Sequence, residues 1–169
     1  MSYEEITKDI MANRKFQRIA QEKHHGITRM EHSVRVAKYV YKISKNLNLD
    51  YVSATRGALL HDFFLTKEYL NTKGLACGVV HPYIALANAN QYFELNEIEK
   101  NAIEAHMFPL NTTLPKYKES WILTAVDKGV AIYECFAYKF SYANLRSNVS
   151  NYFLLAFLVS YYFLTKEVR

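Results

Sequence analysis

The sequence predicts an all-α fold, a compact helical bundle in a single domain, and three observations predict it. Glycine and proline are scarce, five and three in 169 residues, so long stretches lack the two residues that most disturb helical hydrogen bonding. Apolar residues recur at helical spacing, and no convincing alternating strand pattern occurs. Helix-start signals stand in front of several of these stretches. Half the residues are apolar and 22% are charged, the balance of a globular chain. The length suffices to bury a core without disulfides or a structural metal. With no internal repeat, low-complexity tract or linker, one domain over residues 1–169 is expected.

The elements follow in order. Residues 3–22 read as a first helix, with Ile6, Ile10, Met11, Phe16 and Ile19 among charged positions, ended by Gly26. Thr28-Arg29-Met30-Glu31 reads as a capping box, in which the threonine hydroxyl accepts from the Glu31 amide and the Glu31 carboxylate reaches back. The helix behind it carries Val34, Val36, Ala37, Val40 and Ile43, and places His32 near its start. Asp50 caps a helix from Tyr51 to about Phe63, with His61 and Asp62 at its C-terminal end. Residues 64–79 read as a loop or short irregular helix, punctuated by Gly74 and Gly78. A helix over 81–92 has Pro82 in its first turn. Asn96 caps Glu97 to His106, and Pro109 stops it. A helix from about Ser120 to Ala137 carries Asp127, and a final apolar helix covers about 149–165.

Composition narrows the function classes. Cys77 and Cys135 are the only cysteines and form no disulfide framework. The opening MSYEEITKDIMANRK lacks the apolar core of a signal peptide, so a reducing cytoplasm is the expected location. The formal charge of +5 suits a small phosphorylated molecule, but the lysines are scattered, so nucleic acid is not expected as the primary partner. The uncharged run Tyr152 to Leu164 has 13 residues, short of the roughly 20 that a membrane span needs. It reads first as a buried core helix, second as a surface joining copies in a homo-oligomer, and third as a membrane-surface anchor.

Four of the six histidines, His32, His61, His81 and His106, fall at helix ends or first turns. Asp62 follows His61 directly, and Asp127 interrupts the apolar stretch Trp121 to Val126. A carboxylate among apolar neighbours needs a partner, because burying it unpaired is costly. Adjacent helical residues point about 100° apart, so His61 and Asp62 can flank an ion near the helix end. Imidazole and carboxylate suit Fe, Mn, Co or Zn, and no cysteine is placed to supply a thiolate. Each residue also has a plainer reading. Asp127 could be a buried partner of a lysine, His81 a helix-start residue, and His106 a residue favoured by a helix C-terminus. Glu31 serves the capping box; Glu104 is a solvated residue or an outer partner of His106. His24 and His25 precede a glycine, where surface polar residues are common.

His32, the doublet His61-Asp62 within Leu59-Leu60-His61-Asp62, and Asp127 within Val126-Asp127-Lys128 resemble the H…HD…D motif of the HD-domain superfamily of metal-dependent phosphohydrolases. The resemblance runs from about His24 to Glu134. His24-His25-Gly26, His81-Pro82 and His106-Met107-Phe108-Pro109-Leu110 are similar to segments of small stand-alone bacterial members. It implies an HD-type helical bundle and metal ligation by His32, His61, Asp62 and Asp127. By position, His81 and His106 would add a second divalent ion, with Asp62 bridging the two. Fe, Mn or Co are the expected ions, with Zn, Ni and Mg also compatible.

The implied activity is hydrolysis of a phosphate mono- or diester of a small molecule such as a nucleotide. Two divalent ions less two carboxylates and a hydroxide leave a centre about one unit positive; ions about 3.5–4 Å apart would hold a phosphate oxygen and activate water. Lys128 or Arg29 would contact the phosphate. Some cyclic-dinucleotide phosphodiesterases of the superfamily carry a lysine soon after the doublet. Here Phe63-Phe64-Leu65-Thr66 follows, and Lys67 is an imperfect substitute. Two other readings compete: an HD-type di-iron centre that activates oxygen, and a metal- or nucleotide-binding regulatory module without turnover.

Overall fold

The computed structural model of the chain describes residues 1–24, 27–69 and 77–141. Among the described residues the fold is all-α apart from one short ribbon. The elements are α1 (Tyr3–Ala12), α2 (Arg14–Gln17), a 3-10 turn (Arg18–Gln21), β1 (Lys23–His24), β2 (Ile27–Thr28), α3 (Arg29–Asn46), α4 (Tyr51–Leu60), α5 (Thr66–Tyr69), α6 (Cys77–Tyr92), α7 (Glu97–Ala105) and α8 (Lys118–Ser141).

The helix starts have local causes. Ser2 and Glu5, Thr28 and Glu31, and Asn96 and Glu99 each form a reciprocal capping box, opening α1, α3 and α7. Asp50 caps α4 through the Ser53 amide. The helix expected over residues 3–22 is interrupted at Asn13, whose backbone is extended and whose side chain accepts from the Lys15 and Phe16 amides. That side chain offers the backbone an alternative to the helix and starts a new one. Beyond it the chain tightens into the 3-10 turn and enters an antiparallel ribbon pairing Lys23 with Thr28 and His24 with Ile27. Strands of two residues are too short to show alternation.

Other boundaries differ in detail. α4 ends at Leu60, and His61 becomes its C-cap. Thr66–Tyr69 is helical within the expected irregular segment, whereas Gly74 lies outside the described residues. α6 already includes Cys77 and Gly78, so Pro82 sits inside the helix. The missing Pro82 amide there forgoes one helical bond, to the Gly78 carbonyl. The final apolar helix expected at 149–165 also lies outside the described residues. Among those described, no helix is long and apolar enough to cross a membrane.

Four helices close a ring: α3 packs on α4 and α8, and α7 packs on α4 and α8. Leu59, Leu60, Val36, Val40, Ile103 and Leu123 fill its core, with Ile10, Phe16 and Ile19 closing one side. α6 lies against α7 and α4. Gly57 lets α4 approach α7 closely: an added Cβ there would stand 3.1 Å from the Ala102 Cβ. These two helices end in His61 and His106, so their spacing also sets the spacing of two site residues.

Overpacking a close contact costs about 1–3 kcal/mol. Gly57→Val is therefore expected to lower stability by about that amount in urea unfolding, with part of the loss recovered in the Gly57→Val, Ala102→Gly double variant. An additive double variant would show that the two positions do not share this contact.

Candidate metal centre

His61 and His106 occupy equivalent places, each the C-cap of its helix with helical backbone angles. The last carbonyls of a helix lack intrahelical donors. Each ring supplies one: His61 Nδ1 lies 2.7 Å from the Ala58 carbonyl, and His106 Nδ1 lies 2.7 Å from the Ile103 carbonyl. A carbonyl only accepts, so both rings carry their proton on Nδ1 and present a lone pair at Nε2. The rest of the α7 terminus is also satisfied. Asn111 donates to the Glu104 carbonyl, Thr124 to that of Ala105, and Lys128 to that of His106 at 3.0 Å. These contacts hold the end of α7, where His106 stands.

The six residues expected to hold metal converge on one buried place. His32, His61, Asp62, His81, His106 and Asp127 are all 7% exposed or less. His32 comes from the start of α3, His81 from α6, and Asp127 from the middle of α8, while the other three stand at or just past the ends of α4 and α7. Asp127 Oδ1 lies 3.0 Å from His32 Nε2 and 3.4 Å from His61 Nε2. Asp62 Oδ1 lies 3.3 Å from His81 Nε2 and 3.9 Å from His106 Nε2, and its Oδ2 lies 4.0 Å from His61 Nε2. The Nε2 atoms of His81 and His106 are 2.9 Å apart.

Two sets of ligand atoms are compact enough to hold an ion: His32, His61 and Asp127, and His61, Asp62 and His106, each within 4.8 Å. The donors fit a divalent metal on their own chemistry. His61 Nε2 is buried and has no hydrogen-bond partner, although it is a lone pair facing two carboxylates. Nitrogen and carboxylate oxygen, without thiolate, are the donor set of first-row divalent ions.

With protons alone in the cluster, the rings divide sharply. Burial works against a charged His32, but its hydrogen bonds to Asp127 and Glu134 and the charges of Asp127 and Asp62 raise it to about 10. Burial also opposes a charged His61, and the Asp62 and Asp127 carboxylates outweigh it and raise that ring too. Burial, followed by the charges of His61 and His81, lowers His106 to about 3. Burial would raise Asp127, but its hydrogen bond to His32 and the close His61 ring and its charge hold it well below its ordinary range.

The remaining expected residues are placed as follows. Arg29 is 5% exposed, with its guanidinium 3.8 Å over the Phe64 ring, Nη1 donating to the Phe64 carbonyl at 2.7 Å, and Nε 3.9 Å from Asp62 Oδ2. Lys128 is half-buried beside Asp127, and burial lowers its pKa. Glu31 serves its capping box. Glu104 is part-buried, its carboxylate accepting from the Thr113 hydroxyl at 3.5 Å. The His24 backbone belongs to the ribbon; its side chain and His25 lie outside the described residues.

Sequence reasoning missed Glu134 and Arg35. Glu134 lies two turns after Asp127 on α8, and its carboxylate meets His32 Nδ1 at 2.8 Å and Arg35 Nη1 at 2.6 Å. The spacing of seven residues, which returns to the same helix face, was the available signal.

The HD domain family model matches residues 29–131, from the first residue of α3 to four residues past Asp127. The chain belongs to the HD domain family, a superfamily of metal-dependent hydrolases. No curated protein and no solved structure matches the chain.

The ring pKa directions set the stability of chelator-stripped protein. His32 and His61, raised in the fold, contribute fully below 6.5 and lose that contribution as pH climbs, for His32 through about 10. His106, lowered in the fold, penalises folding increasingly as pH drops from 6.5 towards about 3. Stripped protein is therefore expected to melt highest near pH 6.5, with lower melting temperatures on both sides. In His106→Asn the fall between pH 6.5 and 3.8 should largely vanish. A melting temperature flat from pH 5 to 9, as read by calorimetry, would contradict this assignment.

Proposed function

We propose that the chain is a metal-dependent phosphohydrolase that cleaves a phosphate mono- or diester of a small molecule, with nucleotides foremost. The observation that carries this reading is the convergence of six nitrogen and oxygen donors, two of them held in the ligating tautomer by helix-end carbonyls. Membership of the HD domain family supports it. His32, His61 and Asp127 would hold one divalent ion. Asp62, His81 and His106 would hold a second, with Asp62 facing both sides of the cluster. Fe, Mn and Co suit these donors best, and Zn, Ni and Mg remain compatible. Divalent ions there would supply Lewis acidity toward a phosphate oxygen and a water of lowered pKa.

The chain's own residues do the rest. Asp62 and Asp127 bring negative charge that fixes cations in a buried place, where an unpaired carboxylate would be costly. Arg29 is committed to the Phe64 carbonyl and ring, and its remaining face lies against Asp62, so it steadies that carboxylate. Lys128 uses one donor on the His106 carbonyl and has two more. It follows Asp127 on α8, is half-buried, and would be the cation that holds a substrate phosphate. The phosphorylated small molecule is thus the expected partner.

The test is release of p-nitrophenol from p-nitrophenyl phosphate and bis(p-nitrophenyl) phosphate, and of products from a nucleotide panel, with Mn, Co or Fe(II). Asp62→Ala is expected to fall to background with every substrate. Lys128→Met is expected to raise KM about tenfold or more with a smaller change in kcat, since a hydrogen bond to a charged group is worth about 1.5–3 kcal/mol. Two equivalents of metal per chain by elemental mass spectrometry, falling in His81→Ala and His106→Ala, would accompany activity. No hydrolysis of any phosphoester with any of these ions would sink the proposal.

A further inference from the structure

Glu134 lies three residues beyond the matched family span, yet its side chain is as deeply buried as the ligands, at 1% exposure. One carboxylate oxygen accepts from His32 Nδ1 at 2.8 Å, and the other accepts from Arg35 at 2.6 Å. Arg35 stands one turn after His32 on α3 and leans over the Tyr133 ring, 5.9 Å from its centre. Arg35 keeps 37% of its side chain exposed, so the buried member is Glu134, and burying a carboxylate between two helices is costly unless it is paired. The arrangement therefore calls for a reason beyond joining α3 to α8.

The ring itself supplies one. His61 and His106 donate from Nδ1 to backbone carbonyls, which are neutral. His32 donates from Nδ1 to a carboxylate, and its Nε2 then points at Asp127. A carboxylate behind a ligating histidine fixes its tautomer and orientation and makes its free nitrogen a stronger donor. We propose that Glu134 is a positioning residue of the metal centre: it holds His32 with its Nε2 lone pair toward the ion, and Arg35 holds Glu134 in turn. This rests on the metal-centre reading above. Glu134 does not ligate; it acts through His32.

The experiment uses the full chain, stripped with chelator and titrated with Zn(II) against a chromogenic competitor. Wild type, Glu134→Gln, Glu134→Ala and His32→Ala are compared. Loss of such an outer partner typically weakens metal binding about 10–100-fold. Glu134→Gln keeps the shape but cannot serve both Arg35 and His32, and is expected at the lower end of that range, with Glu134→Ala nearer the upper. In the Zn-loaded wild type, long-range proton–nitrogen NMR should show His32 protonated at Nδ1, and this signal should be lost or averaged in Glu134→Ala. The rise in melting temperature on adding Zn should shrink in both variants, whereas a merely structural Glu134 would lower stripped and loaded protein alike.

An unchanged Zn affinity in Glu134→Gln, together with weakened binding in His32→Ala, would overturn the proposal and leave the metal centre standing. Unchanged affinity in His32→Ala as well would overturn both. Should Glu134→Ala fail to fold, the isosteric Glu134→Gln decides on the same readouts.

Discussion

The centre depends on a use of helix ends that is more than termination. A helix leaves its last carbonyls without donors, and at α4 and α7 a histidine ring closes that deficit. The same hydrogen bond sets which nitrogen keeps its lone pair, so helix capping and ligand preparation are one event at both sites. Because the acceptors are backbone atoms, the ring orientation is tied to the helix itself and not to a mobile side chain. The packing of α4 against α7 at Gly57 and Ala102 then carries these two prepared rings together.

His32 and Asp127 join from helices whose interiors pack on that pair. His32 sits near the start of α3, after a capping box that fixes where the helix begins. Asp127 lies mid-helix among Leu123, Val126 and Val130, all buried. An aspartate there is unfavourable for packing and for helix propensity alike, and its histidine neighbours offset that cost. The disagreement between local preference and placement is what a functional position looks like in an otherwise self-consistent bundle.

Much of this is legible in the sequence. Thr28, Asp50 and Asn96 announced three helices by side-chain chemistry that acts over three residues, so short-range reasoning sufficed. The six ligand candidates stood out because polar residues in apolar settings ask for a partner. What escaped notice depended on competition or distance. Asn13 splits the first helix because its side chain outbids the backbone, and nothing in the apolar spacing of Ile6, Ile10 and Phe16 registers that. The reach of α6 back past His81 was hidden because Pro82 imitates a first turn. Glu134 was missed because its meaning lies 102 residues away in His32.

That separation bears on how the centre depends on its helices. The donors His61, Asp62 and His106 are all present once the chain has reached residue 106, whereas His32 and His61 wait for Asp127, 95 residues after His32, before their set is whole. The set of His61, Asp62 and His106 is therefore complete without α8, whereas the set of His32, His61 and Asp127 is whole only where α8 packs on α3. A substitution that loosened α8 alone would part the two sets unequally.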